Sequence, residues 1–261
     1  MKYGFLGCGN MGSAIAKALN KATDQIVITD RTGKAKTIAK DLNCSYTNAD
    51  NLVEECDRIF LAVKPQVMEA VLTPLKPALA RKKPMLISMA AGLSIERIEQ
   101  LAGTKLPIIR MMPNTPVAVG CGMIQFCCNS LVTNDALSSF LEDMRYCGQL
   151  DAIEEHLIDS ASALSGCGPA YMYMFMNALA KGAAACGVPQ DKALSYAAAT
   201  MIGAAKMVQQ TGEDPEKLKN NVCSPGGSTI AGVRALEAAD FDQAVLDCVC
   251  AAYKRNQELG K

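Results

Sequence analysis

The stretch that decides the fold runs from Lys2 to Asp30, K-Y-G-F-L-G-C-G-N-M-G-S-A-I-A-K-A-L-N-K-A-T-D-Q-I-V-I-T-D. Lys2 to Leu6 reads as a short apolar strand, and Gly7-Cys8-Gly9-Asn10-Met11-Gly12 follows it directly. Ser13 to Leu19 is then patterned as a helix, Gln25 to Thr29 as a second strand, and Asp30 closes that strand 18 residues beyond Gly12. A lone G-x-G-x-x-G is a weak signal. Here strand, glycine turn, helix, second strand and acid stand in the order that a dinucleotide fingerprint requires, in which glycines let the backbone approach a pyrophosphate on the helix N-terminus. Leu6, Gly7, Gly9, Asn10, Met11 and Gly12 are therefore candidate cofactor residues.

The next two residues bear on which dinucleotide. An aspartate at Asp30 ordinarily accepts from the ribose 2′-hydroxyl and repels a 2′-phosphate, whereas the adjacent Arg31 is either the arginine that accommodates that phosphate or a solvated side chain opening the next helix. The choice between NADH and NADPH stays open on this ground.

Outward from the fingerprint, strands and helices alternate. Helices are expected at Gly33 to Leu42, Ala49 to Cys56 and Gln66 to Leu79, the last kinked at Pro74 and Pro77. Strands are expected at Arg58 to Val63, Met85 to Met89 and from Pro107 to the Met111-Met112-Pro113-Asn114-Thr115-Pro116 segment. Such alternation implies a parallel, doubly wound sheet. Ala62-Val63-Lys64-Pro65 and Ala90-Ala91-Gly92 each follow a strand's carboxyl end, the edge where such sheets bind ligands. Asn114 either orients a nicotinamide amide or ties its own turn. From Glu155 onward only helices are expected: Glu155 to Leu164, Pro169 to Cys186, Pro189 to Gln210, Pro215 to Asn221, Thr229 to Ala239 and Asp242 to the C-terminus. The chain thus divides into 1–154, an α/β half, and 155–261, an all-helical half.

Composition narrows the partners. The 261 residues carry 26 basic and 26 acidic side chains with no run of either sign, which argues against nucleic acid or an anionic membrane surface. The 12 cysteines include no C-x-x-C, and the single histidine, His156, completes no zinc pattern, so no metal site is expected. They read as reduced thiols of a cytoplasmic protein. Ser160 to Ala180 is free of charge over 21 residues, but Gly166, Gly168, Pro169 and Asn177 interrupt it, and a helix buried against a second subunit suits it better than a membrane span.

A nicotinamide supplies its own hydride, so the protein must position an acceptor and balance the proton. His156 lies beside Glu154 and Glu155, as a surface histidine would, and the Tyr171 to Met176 stripe reads as packing. The remaining candidate is Asn221 to Glu237, N-V-C-S-P-G-G-S-T-I-A-G-V-R-A-L-E. Pro225, Gly226 and Gly227 make a turn, and a helix follows for which Ser228 or Thr229 can serve as N-cap. Its free N–H groups form either an anion site or an ordinary capped terminus.

The motifs Gly7 to Gly12, Ala62 to Pro65, Ala90 to Gly92, Met112 to Pro116, Leu164-Ser165-Gly166-Cys167-Gly168-Pro169-Ala170-Tyr171 and, above all, Val222 to Glu237 together resemble the pyrroline-5-carboxylate reductase family over the whole length. The resemblance implies a Rossmann-type half followed by a helical dimerisation domain, reduction of 1-pyrroline-5-carboxylate to L-proline with NADPH or NADH, and a homodimer that builds a pentamer of dimers. It also implies that Ser224, Gly226, Gly227, Ser228 and Thr229 hold the substrate, with the Thr229 hydroxyl as the catalytic group on the ring nitrogen. Asn48 would touch the adenosine side, Ala62 to Pro65 and Ala90 to Gly92 the nicotinamide half, and Asn221 would reach the cofactor from the partner subunit. Members of the family often carry an uncharged residue where this chain has Asp30. A β-hydroxyacid dehydrogenase is the enzymatic rival, but its catalytic lysine and asparagine positions are Met172 and Phe175 here. A dinucleotide-binding redox sensor without catalysis would have no use for a second anion site.

Overall fold

The computed structural model describes residues 1–259. It divides into two compact units, one formed by Met1–Cys167 with the segment from Ala252 onward, the other by Gly168–Ala251.

The first unit is an eight-stranded sheet in the order β3-β2-β1-β4-β5-β6-β7-β8. Strands β1 (Tyr3–Leu6), β2 (Ile26–Thr29), β4 (Arg58–Leu61) and β5 (Met85–Ser88) are buried along their whole length. That burial is why they read as continuous apolar runs without alternation. Helices α1 (Asn10–Leu19), α2 (Ala35–Asp41), α3 (Ala49–Glu55), α4 (Met68–Lys82) and α5 (Ile95–Ala102) connect them. A 3₁₀ turn at Pro65–Val67 leads into α4, which continues through Pro74 and Pro77. The strands from β3 to β6 (Ile108–Met112) are parallel, and the order reverses at β1, which pairs with β2 on one side and β4 on the other.

Past β6 the sheet departs from the expected all-parallel pattern. β7 (Gly122–Cys128) runs antiparallel to β6, because the connection is only a 3₁₀ turn, Thr115–Val119, closed by Gly120 at φ +74°. A link that short can reverse a strand but cannot cross over a sheet. Helix α6 (Asn134–Asp143) then provides a crossover to β8 (Gly148–Ala152), parallel to β7. β3 (Ser45–Tyr46), α5, β7, α6 and β8 were not anticipated from the sequence.

Two buried arginines tie layers together. Arg58 lies beneath α6, donating to the Tyr3 hydroxyl, to Asp143 Oδ2 at 3.1 Å and to the Ala136 carbonyl at 3.0 Å. Arg110 on β6 pairs with Glu155 at 3.3 Å and Asp159 at 2.6 Å, rooting α7 (Ile158–Ser165) on the sheet. Asn256, near the end of α12 (Phe241–Leu259), donates to the Asp159 carbonyl at 2.9 Å in the same unit.

The second unit holds α8 (Gly168–Ala185), α9 (Gln190–Thr211), α10 (Pro215–Val222), α11 (Ser228–Ala238) and the first part of α12. The helices match the expected spans closely; the last two residues of the expected C-terminal helix lie outside the described residues. Phe175 and Phe241 meet at 5.6 Å between ring centroids, but Ala180, Ala193 and Ala197 are the only residues of α8 and α9 that are buried, and α10 and α11 bury none. Met172, Tyr173, Met174, Tyr196 and Ile202 are exposed. A helical layer so apolar and so uncovered is half a core. No helix among the described residues is long and apolar enough to cross a membrane.

Candidate active site

The carboxyl ends of β1, β2, β4 and β5 meet where the strand order reverses, the crevice in which open α/β sheets bind ligands. Gly7 leaves β1 at φ +89°, a conformation that costs a side chain dearly. A Cβ there would lie 2.7 Å from Val63 Cγ1 and 2.8 Å from the Ala62 carbonyl oxygen, so the first glycine is required by its neighbours. Gly12 is packed likewise, 3.0 Å from the Ala62 Cβ, which draws α1 against the strand. Gly9 is different. It is the N-cap of α1 at φ −77°, with no side-chain cap and nothing within 4 Å of a Cβ built on it. The middle glycine thus opens space above an uncapped helix terminus, where a phosphate can approach free N–H groups. Asn10 is exposed beside it and Met11 is half-buried.

A cavity of about 770 Å³ continues from this turn. Leu6, Gly7, Asp30, Arg31, Asn48 and Val63 line it, with Thr32 and Tyr46, and Val67, Ala70, Val71 and Pro74 form an apolar wall. The volume suits a nucleoside. Glycine geometry, uncapped terminus and cavity together fit a bound dinucleotide. Tyr46 and the apolar wall both escaped the sequence reading: the Tyr46 strand is two residues long, and the wall is one side of a helix whose repeat does not say what it faces. Asn48 caps α3, accepting from the Asn51 N–H at 2.9 Å.

Lys64 and Pro65 enter the 3₁₀ turn before α4, Lys64 being exposed, and Ala90 to Gly92 turn away from β5 with Gly92 at φ +76°. Asn114 is placed at the same edge but its amide is committed elsewhere. Its Oδ1 accepts from the Met123 N–H at 2.9 Å and its Nδ2 donates to the Ser165 carbonyl at 3.0 Å, tying β7 to the end of α7. Those bonds, with 8 % exposure, hold the Asn114 side chain against β7 and α7 and not against its own turn. His156 is on the surface, 3.2 Å from Glu154, as read.

In the second unit, Asn221 lies one residue before the end of α10 and is exposed, and Ser224 to Gly227 form a turn in which the Gly227 N–H donates to the Ser224 carbonyl at 3.0 Å. Pro225 followed by Gly226 at φ +73° is the pattern of a type II turn. The N-cap of α11 is Gly227, one residue before the Ser228 or Thr229 expected to serve. Gly227 has no side chain with which to cap, and a Cβ on it would fall 2.4 Å from Ser224 Oγ. The first N–H groups of α11, at Ser228, Thr229 and Ile230, are left without a side-chain cap, and a helix terminus so arranged favours an anion.

Met172 and Phe175, where a hydroxyacid dehydrogenase would place a lysine and an asparagine, are apolar residues of α8, Phe175 against Phe241. Cys8, inside the glycine turn, has its thiol pushed up to about 12 by burial, with smaller contributions from Cys44 and Asp30.

Residues 155–259 match the family model described as pyrroline-5-carboxylate reductase dimerisation, and residues 2–92 match that described as NADP oxidoreductase coenzyme F420-dependent. The chain is 37% identical to pyrroline-5-carboxylate reductase of Escherichia coli (strain K12), covering 100% of this chain and 98% of the relative. It is 35% identical to that of Pisum sativum, over 98% of this chain and 95% of the relative. Among solved structures, the Plasmodium falciparum pyrroline carboxylate reductase with NADP bound superimposes with a TM-score of 0.91 at 32% identity, covering 100% of this chain and 98% of that one.

Proposed function

The chain belongs to the pyrroline-5-carboxylate reductase family, and from that premise we propose how its residues carry the reduction of 1-pyrroline-5-carboxylate to L-proline, the last step of proline biosynthesis. It is an NAD(P)H-dependent oxidoreductase and a homo-oligomer. The observation that carries the substrate reading is the uncapped terminus of α11, with a glycine at the cap position and a second glycine at positive φ before it.

The backbone N–H groups of Ser228, Thr229 and Ile230 hold the substrate carboxylate, and Gly226 and Gly227 give it room. Ser224 flanks the same turn. The Thr229 hydroxyl hydrogen-bonds the ring nitrogen and keeps the protonated imine oriented. Leu6 to Gly12 cradle the pyrophosphate, Ala62 to Pro65 and Ala90 to Gly92 border the nicotinamide, Asn48 lies by the adenosine, and Asn221 of a second copy reaches the cofactor. When bound, a reduced nicotinamide supplies the hydride. The electron pair of the C=N π bond becomes the nitrogen lone pair, so a protonated imine yields a neutral amine and no strong acid is needed. This accounts for a site with no histidine. The apolar helices of unit two close on a second copy as a dimer, and five dimers associate, in the reduced setting of a cytoplasm.

Thr229→Ala tests the assignment. With 1-pyrroline-5-carboxylate and NADPH or NADH, kcat falls by about a hundredfold, the usual scale of a positioned acid–base group, while cofactor affinity holds. An unchanged kcat removes Thr229 from the mechanism.

A further inference from the structure

The loop of residues 89–94 leaves β5 with little of its own to hold it. The Ala90 N–H donates to Ser88 Oγ at 3.4 Å, the Leu93 N–H to the Ala90 carbonyl at 3.4 Å, and Gly92 turns the chain at φ +76°. Both bonds are long. The firmer contacts come at the loop's far end, where α5 begins. Ser94 caps that helix, its hydroxyl accepting from the Arg97 N–H at 3.1 Å, and the Ile95 N–H donates to Glu155 Oε1 at 2.7 Å. The first N–H of a helix has no partner within the helix, and a carboxylate placed there gains both a charge-assisted bond and the positive end of the dipole.

Glu155 is itself held in place. Arg110 donates to the same Oε1 at 3.3 Å, and its other terminal nitrogen donates to Asp159 at 2.6 Å. Arg110 is buried on β6, and its partner in register on β5 is Ser88, the last residue before the loop. One rung of the sheet therefore closes the loop: Ser88 starts it, and Arg110 beside Ser88 holds the carboxylate that ends it. Rooting α7 on the sheet does not call for this arrangement. Asp159 already meets the guanidinium more closely, and the shorter of the two bonds that Glu155 accepts runs to the Ile95 backbone.

We propose that Glu155 is a positioning residue for the reduction: its carboxylate fixes the 89–94 loop, whose residues 90–92 border the nicotinamide in the reading above, where hydride transfer needs it. This rests on that reading and adds to it a residue that touches neither cofactor nor substrate. Two conservative variants of the full-length protein separate reach from charge. Glu155→Asp keeps the charge beside Arg110 but draws the carboxylate back from Ile95 by one methylene, whereas Glu155→Gln keeps the reach and loses the charge. In the ligand-free protein, hydrogen exchange at the Ile95 amide should speed about tenfold in Glu155→Asp and by no more than about threefold in Glu155→Gln. With 1-pyrroline-5-carboxylate and saturating NADPH or NADH, kcat should fall about tenfold in Glu155→Asp and by no more than about threefold in Glu155→Gln. Affinity for adenosine diphosphate ribose, which carries no nicotinamide, should hold in both. An ion pair serving stability alone gives the reverse order, with Glu155→Gln the worse. Unchanged Ile95 exchange or unchanged kcat in Glu155→Asp overturns the proposal, as does a kcat lower in Glu155→Gln than in Glu155→Asp, or an affinity for adenosine diphosphate ribose that falls in step with kcat. Should the wild type leave the imine unreduced, the proposed reaction falls, while exchange at Ile95 still decides whether Glu155 holds the loop.

Discussion

The first and second glycines of the fingerprint should fail in opposite ways when given a methyl group. Gly7→Ala places a Cβ at φ +89°, 2.7 Å from Val63 Cγ1 and 2.8 Å from a backbone carbonyl that β4 holds in place. The backbone conformation costs about 1–2 kcal/mol. Overpacking against Val63 and Ala62 adds about 1–3 kcal/mol. A loss of about 2–5 kcal/mol is expected, a large share of a domain's stability. Gly9→Ala faces neither problem, since its φ of −77° suits any residue and its Cβ meets nothing. Replacing glycine by alanine at an N-cap costs about 1 kcal/mol or less. Its methyl instead enters the space above the α1 terminus, and NADP⁺ affinity should drop about tenfold as charge-assisted contacts lengthen. Urea midpoints and calorimetric cofactor titration on both variants measure this. A Gly7→Ala variant as stable as wild type, or a Gly9→Ala variant that binds normally, refutes the assignment of one glycine to packing and the other to phosphate.

Arg58→Ala strands the Asp143 carboxylate, the Tyr3 hydroxyl and the Ala136 carbonyl beneath α6, and should lower stability by about 2–4 kcal/mol in denaturant; Arg58→Lys, lacking the fork, should recover only part. Burial pushes the thiols of Cys8, Cys56 and Cys147 up to about 12 from 9.0. The unfolded chain deprotonates first, so the stability these groups contribute is whole below pH 9 and is lost as pH rises toward 12. Each contributes a slope of about 1.4 kcal/mol per pH unit in that window, and Cys147→Ala should flatten the alkaline fall of the urea midpoint. At pH 8 a thiol reagent should modify exposed Cys121 and Cys128 while Cys8 reacts only on unfolding.

What was legible in the sequence was what local chemistry decides. The Gly7 to Gly12 turn announces itself because positive φ and close approach demand glycine at specific places, and the joints of the helical half show because Pro189, Gly212 and Pro215 stand at them. β7 and β8 were not legible: Gln125 and Asp151 interrupt their apolar residues, and β8 meets β7 only across the α6 crossover. The reversal at β7 follows from the length of the Thr115–Val119 turn, which no periodicity reports. The turn and helix at α11 were legible, but the cap was placed one or two residues late, because serine and threonine are the commoner caps and only the geometry of Gly227 against Ser224 shows a terminus left open. Asn114 had two readings, and its bonds to Met123 and Ser165 reach elements that no local window around it reports.

The carboxylate trap at α11 is the central claim, and one comparison reaches it directly: kcat/KM for 1-pyrroline-5-carboxylate against that for 1-pyrroline, the same imine without its carboxylate. If the free N–H groups of α11 hold that carboxylate through the transition state, its removal should cost about a hundredfold or more, two charge-assisted hydrogen bonds' worth. Equal values for the two imines would contradict the account.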